Sequence, residues 1–120
     1  MGRKQRRQQR IAAPTSDYSS AEGDTLTLRG SMSPATRQEY AAVRTGEHAA
    51  PAAVREDVWQ RAREFLFERL AVRWTIAGMM IDNQKQLLAR YRMASASERD
   101  WIHGVMREHC GEHFPDLESP

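Results

Sequence analysis

The sequence predicts an all-α protein, a small domain of three or four helices behind a disordered basic N-terminal arm. In the second half of the chain, apolar residues recur every three or four positions, which is the period of a buried helical face. Two patterns typical of helix starts are also present. Ser33 can serve as an N-cap before Pro34, and Asp82 can serve as an N-cap before an amphipathic run. Ser95 has Glu98 three positions later, which is the spacing of a capping box.

The composition divides the chain into three regions. Residues 1–24 are rich in basic, Gln, Ser and Ala residues and have too little apolar surface to offset the entropy of ordering, so we expect a disordered arm. Residues 25–50 contain a short strand-like segment in which Leu26 and Leu28 alternate with threonines, followed by a short helix and a linker. Residues 51–118 are predicted to form the helical domain.

A long helix is the central element of this predicted domain. It begins at Pro51, and its apolar stripe continues as far as Ala77. A second helix starts after Asp82 as its N-cap. A third starts at Ser95 and is stopped by Pro115, whose ring is not tolerated inside a helix.

The long helix has more apolar surface than two short helices need to cover. The segment around Leu26 and Leu28 could fold over this second face, or a partner protein or a second copy of the chain could cover it. A methionine cluster at the end of the helix could add an adaptable binding groove or fill gaps in the core. The candidate protein-binding residues are Trp59, Phe67, Val72, Ile76, Met79 and Met80.

The positive charge of the chain is concentrated in its first ten residues. The arm contains five of the 18 Lys and Arg residues, which are Arg3, Lys4, Arg6, Arg7 and Arg10. The other 13 Lys and Arg residues are outnumbered by 16 Asp and Glu residues, so residues 11–120 carry a formal charge of −3. Binding of nucleic acid would therefore depend on the arm. The arm resembles the arginine-rich peptides with which some viral regulators bind RNA, which makes an RNA-binding regulator the alternative function.

Residues 109–113 match the H-x-x-E-H motif of one class of zinc protease, with His109, Glu112 and His113 in the ligand and acid positions. A third ligand normally comes from well downstream, and only seven residues follow. We therefore expect two histidines on the exposed side of a terminal helix, with Cys110 filling core space. No other catalytic motif is found, so the sequence predicts a protein that is not an enzyme and needs no metal or cofactor.

Cysteine usage and hydropathy indicate a cytoplasmic protein. The single cysteine, Cys110, cannot form an internal disulfide, and no C-x-x-C pair is present. The longest apolar stretch, residues 70–81, is too short to span a membrane and contains Arg73.

Six short segments between residues 25 and 118 resemble a known family. They are TLTLRG at 25–30, SPATR at 33–37, FLFERLAVRW at 65–74, LLARYR at 87–92, SERDWI at 97–102 and HFP at 113–115. Together they are similar to the small helical tail assembly chaperones of phages that infect actinobacteria. The resemblance implies a protein without catalytic residues that transiently binds the tape measure protein and tail-tube subunits. We therefore expect a non-enzymatic assembly chaperone or adaptor.

Overall fold

The computed structural model describes residues 14–46 and 54–117. In this part of the chain, helices and an antiparallel sheet form a mixed α/β domain, so the predicted all-α class and helical bundle are wrong. The strands are β1 (Thr15–Ser19), β2 (Thr25–Arg29), β3 (Ala71–Ile76) and β4 (Met79–Ile81). The helices are α1 (Pro34–Thr45), α2 (Arg55–Leu70), α3 (Gln84–Arg92) and α4 (Ala96–His113).

The predicted long helix is shorter than its apolar stripe suggested. It ends at Leu70, and the chain continues directly into β3, a segment rich in β-branched and aromatic residues that favour strands. Ala77 and Gly78 then adopt left-handed backbone angles, with φ values of 50° and 81°, and return the chain as β4. Pro51, the predicted start of this helix, lies outside the described residues.

The sheet has the order β1-β2-β3-β4 with every neighbouring pair antiparallel. Leu26 of β2 lies opposite Tyr18 of β1 and Trp74 of β3, and Trp74 lies opposite Ile81 of β4. Paired residues share a face of the sheet, and these four side chains pack against the hydrophobic core. The opposite face is largely polar.

Strand β1 corrects the prediction of a disordered segment over residues 1–24. Thr15–Ser19 pairs with β2 along its whole length, and Thr27 donates a hydrogen bond from its hydroxyl to Asp17 at 2.6 Å. The polar composition that suggested disorder belongs to an edge strand whose outer face meets solvent. Residues 1–13 of the predicted arm lie outside the described residues.

The core lies between one face of the sheet and the helices. Its largest fully buried apolar side chains are Trp74, Tyr40, Phe67, Phe114, Leu26, Leu28, Leu66, Leu70, Leu87 and Ile102. The ring of Phe67 stacks on Tyr91 with centroids 4.7 Å apart and meets Trp74 edge-on at 6.0 Å. This aromatic cluster joins α2 and α3 to the sheet.

Two of the three predicted N-caps are confirmed. The side chain of Ser33 caps α1, and Ser95 forms a complete capping box with Glu98 at the start of α4. Helix α3 is capped by Asn83 rather than by the predicted Asp82, because the Asn83 side chain accepts hydrogen bonds from two backbone amides of the first turn.

Candidate functional site

The structure separates the six candidate protein-binding residues, four of which were predicted to share an apolar helical face. Phe67 is fully buried in the aromatic cluster, so it cannot contact a partner at the surface. Trp59 stays half-buried on α2, with the guanidinium of Arg55 5.8 Å from its ring centroid. Val72 and Ile76 lie half-buried in β3. The predicted helical face does not exist, because its second half is a β-hairpin.

The remaining two residues, Met79 and Met80, are exposed on the edge strand β4. Met79 is 74% exposed and Met80 is 60% exposed, which is unusual for large apolar side chains. Strand β4 pairs with β3 on one side, and no strand lies beyond it in the part of the chain that the structure describes. The two side chains project to opposite faces of the sheet because they are adjacent in a strand.

The hairpin turn determines which backbone groups face the open edge. In a two-residue hairpin the residues that flank the turn form the hydrogen-bonded pair, which here is Ile76 and Met79. Met80, opposite Thr75, therefore directs its N–H and C=O away from β3. These groups are available to another strand.

A hydrogen bond ties this hairpin to the rest of the sheet. The amide of Ala77 donates to the carboxylate of Asp24 at 3.0 Å, which joins the β3–β4 turn to the β1–β2 turn. The hairpin was not predicted from the sequence, although Gly78 between two apolar runs is a signal of a chain break that could have revealed it.

The H-x-x-E-H residues form a structural contact instead of a surface pair. His109 is fully buried, contrary to the predicted exposure. Its Nε2 lies 2.8 Å from the carbonyl of Arg29, which can only accept, so Nε2 carries the proton and Nδ1 accepts from the hydroxyl of Tyr18 at 2.8 Å. Burial lowers the pKa of His109, although the hydrogen bond to Arg29 acts in the opposite direction.

The other residues of the motif differ in exposure. The ring of His113 lies 4.5 Å from that of His109, and its Nε2 is 3.4 Å from the hydroxyl of Ser16. Glu112 is exposed. Cys110 is buried as predicted, and burial raises the pKa of its thiol to about 11. Within residues 14–46 and 54–117, no three His, Cys, Asp or Glu side chains are grouped to hold a metal ion.

The alternative nucleic-acid site lies outside the described residues. Its members are Arg3, Lys4, Arg6, Arg7 and Arg10.

Comparison with protein-family models, with curated proteins and with solved structures finds no match for this chain. Among the described residues, no helix combines the length and the apolar composition that a membrane crossing requires.

Proposed function

We propose that this protein is a non-enzymatic assembly chaperone or adaptor that binds an extended segment of a partner protein along the open edge of β4. The exposure of Met79 and Met80 on an edge strand is the observation that carries this proposal. Added strands gain affinity from main-chain hydrogen bonds, and the unbranched methionine side chains adapt to the residues of the partner.

The edge has few of the features that usually prevent such pairing. Natural edge strands are protected by short length, by Lys or Pro residues, by bulges or by inward-pointing charges. Strand β4 is short, with only the three residues Met-Met-Ile, but those residues include no charge, proline or bulge. An apolar edge of this kind favours coverage by another chain in the assembled state.

Phage tail proteins are the first partners to test, because of the resemblance to tail assembly chaperones, and the cytoplasm is the compartment where such assembly occurs. A second copy of this chain is the other occupant to consider, and sedimentation of the purified protein distinguishes it. If the protein forms a stable dimer that dissociates on substitution of Met80, a second copy of the chain, and not a partner protein, occupies the edge of β4.

The test is capture of tail-tube and tape measure proteins from phage-infected cells. Met79→Asp should abolish capture by placing a charge in the interface. Met80→Pro should also abolish it, because it removes the outward N–H while leaving the β3–β4 hydrogen-bonded pair intact. Met93→Asp is the matched control, since Met93 is 81% exposed at the end of α3, away from the sheet edge.

The two edge variants can also contradict the proposal. Capture that survives both edge substitutions, in variants whose circular dichroism matches the native chain, would show that β4 is not the interface. RNA binding through the arm predicts a different pattern, in which deletion of residues 2–10 removes the partner and nuclease does the same.

A further inference from the structure

A cleft of about 650 Å³ lies between α2 and α4, and no residue of β4 lines it. Arg99, His103 and Arg107 lie four positions apart along α4, so their side chains share one face of that helix. Gln60 and Arg63 line the same cleft from α2. Two helices thus direct three guanidinium groups, an imidazole and an amide towards one concave site.

The arginines of this cleft have no carboxylate partner within the described residues. Arg99 donates from Nη2 to the carbonyl of Arg92 at 2.6 Å, which holds its guanidinium in place. The Nε–H groups of Arg63 and Arg99 are buried, and neither has a hydrogen-bond acceptor in the described part of the chain. Asp100 is the one acidic residue among those described that line the cleft.

His103 responds to this concentration of positive charge. It is half-buried, and its Nε2 lies 3.1 Å from the hydroxyl of Tyr91. Burial lowers the pKa of His103, and the positive charges of Arg63, Arg107 and Arg99 lower it further, whereas the carboxylate of Asp100 acts in the opposite direction. Arg99 also lies over the ring of Tyr91, 5.8 Å from its centroid, whereas Asp100 is the one carboxylate of the described lining that offsets the mutual repulsion of the guanidinium groups. An anion between the guanidinium groups would remove that repulsion.

We propose that this cleft binds a phosphate monoester, whose oxygens are held by the guanidinium groups of Arg63, Arg99 and Arg107. The planar guanidinium group matches the geometry of phosphate oxygens and donates paired hydrogen bonds to them. These arginines all line one cleft, and residues 11–120 are acidic overall, with 13 basic against 16 acidic residues. A polynucleotide backbone would need an extended basic surface. The site is independent of the β4 edge and of the function proposed for it.

The test is a nuclear magnetic resonance titration of the isotope-labelled full chain with inorganic phosphate and with phosphoserine. Both should produce saturable shifts at Arg63 and His103 and should raise the pKa of His103, because a bound dianion stabilises the imidazolium. Arg63→Gln should weaken phosphoserine binding about tenfold, since a charge-assisted contact is lost. Arg61→Gln removes the same charge from an exposed position of α2 and should change affinity less than about twofold.

Three outcomes would overturn this inference. The first is the absence of a saturable shift, and the second is an equal loss of affinity in the Arg61 and Arg63 variants. The third is binding of single-stranded RNA that persists without residues 2–10, is lost in Arg63→Gln and exceeds binding of phosphoserine, which would show a polynucleotide site. As a check on geometry, Arg107→Gln should raise the pKa of His103 in the absence of phosphate.

Discussion

At the scale of single residues, His109 shows what local sequence can and cannot predict. The caps at Ser33 and Ser95 were predictable because each acts within its own first helical turn. The burial of His109 was not, since its partners Tyr18 and Arg29 lie 91 and 80 positions away. Only the tertiary fold brings these groups together, so a motif of five residues was mistaken for an exposed pair.

We expect the free energy of unfolding to fall as the pH is lowered through the range in which histidine titrates. The unfolded chain has an ordinary histidine pKa of about 6.5, whereas burial lowers the native pKa of His109 and of His103. At pH values between the native and the unfolded pKa, the unfolded state binds more protons than the native state. The contribution of these two histidines to the free energy of unfolding is therefore fully present above about pH 6.5 and is lost as the pH falls through the native pKa.

Urea unfolding between pH 5 and pH 8 measures this dependence. His109→Gln and His103→Gln should each reduce the slope of stability against pH, because each removes one group whose pKa differs between the two states. An unchanged slope in both variants would assign the pH dependence to other groups.

At the scale of secondary-structure elements, the β3–β4 hairpin was hidden by the periodicity that predicted a long helix. Leu70 and Trp74 are both buried and lie four positions apart, which fits a helical face. In the structure Leu70 ends a helix and Trp74 belongs to a strand, and both still point into the core. A spacing of four positions, an even number, fits one side of a strand as well as one face of a helix.

The hairpin turn provides a prediction at this scale. Ala77 has a left-handed backbone with φ of 50°, which strains a residue with a β-carbon. Ala77→Asn should stabilise the domain by about 1 kcal/mol, because asparagine tolerates this conformation and Asn-Gly is the preferred pair for such turns. Gly78→Ala, at φ of 81°, should destabilise it by a similar amount. Thermal unfolding of the two variants measures both effects, and equal melting temperatures would contradict the assignment of strain.

At the scale of the whole molecule, the sequence indicated one small domain but not its fold class. Strand β1 is polar and so lacks an apolar pattern, and the apolar residues of the β3–β4 hairpin continue the spacing of a helix.

Cys110 provides a measure of how this domain opens. Its thiol is buried, and burial raises its pKa to about 11, so a thiol reagent at pH 8 should react only after unfolding.

Leu70→Ala should destabilise the domain by about 2–5 kcal/mol because it leaves a cavity in the core, and it should speed the labelling of Cys110 by at least about tenfold. Glu64→Gln should have little effect, since its ion pair with Arg92 is exposed to solvent and screened by it. Mass spectrometry follows the labelling. Equal rates in the native chain and in Leu70→Ala would show that the thiol reacts through a local opening.

The attachment of β1 to α4 also limits when this protein can fold during its synthesis. Tyr18 emerges from the ribosome early, but its partner His109 is made 91 residues later. The edge of the sheet therefore remains unsecured until α4 has emerged, and contacts between such distant positions slow folding relative to a bundle of local helices. The domain becomes native only once α4 is available, so during synthesis the nascent chain presents its strands to other cellular components before it presents a finished surface.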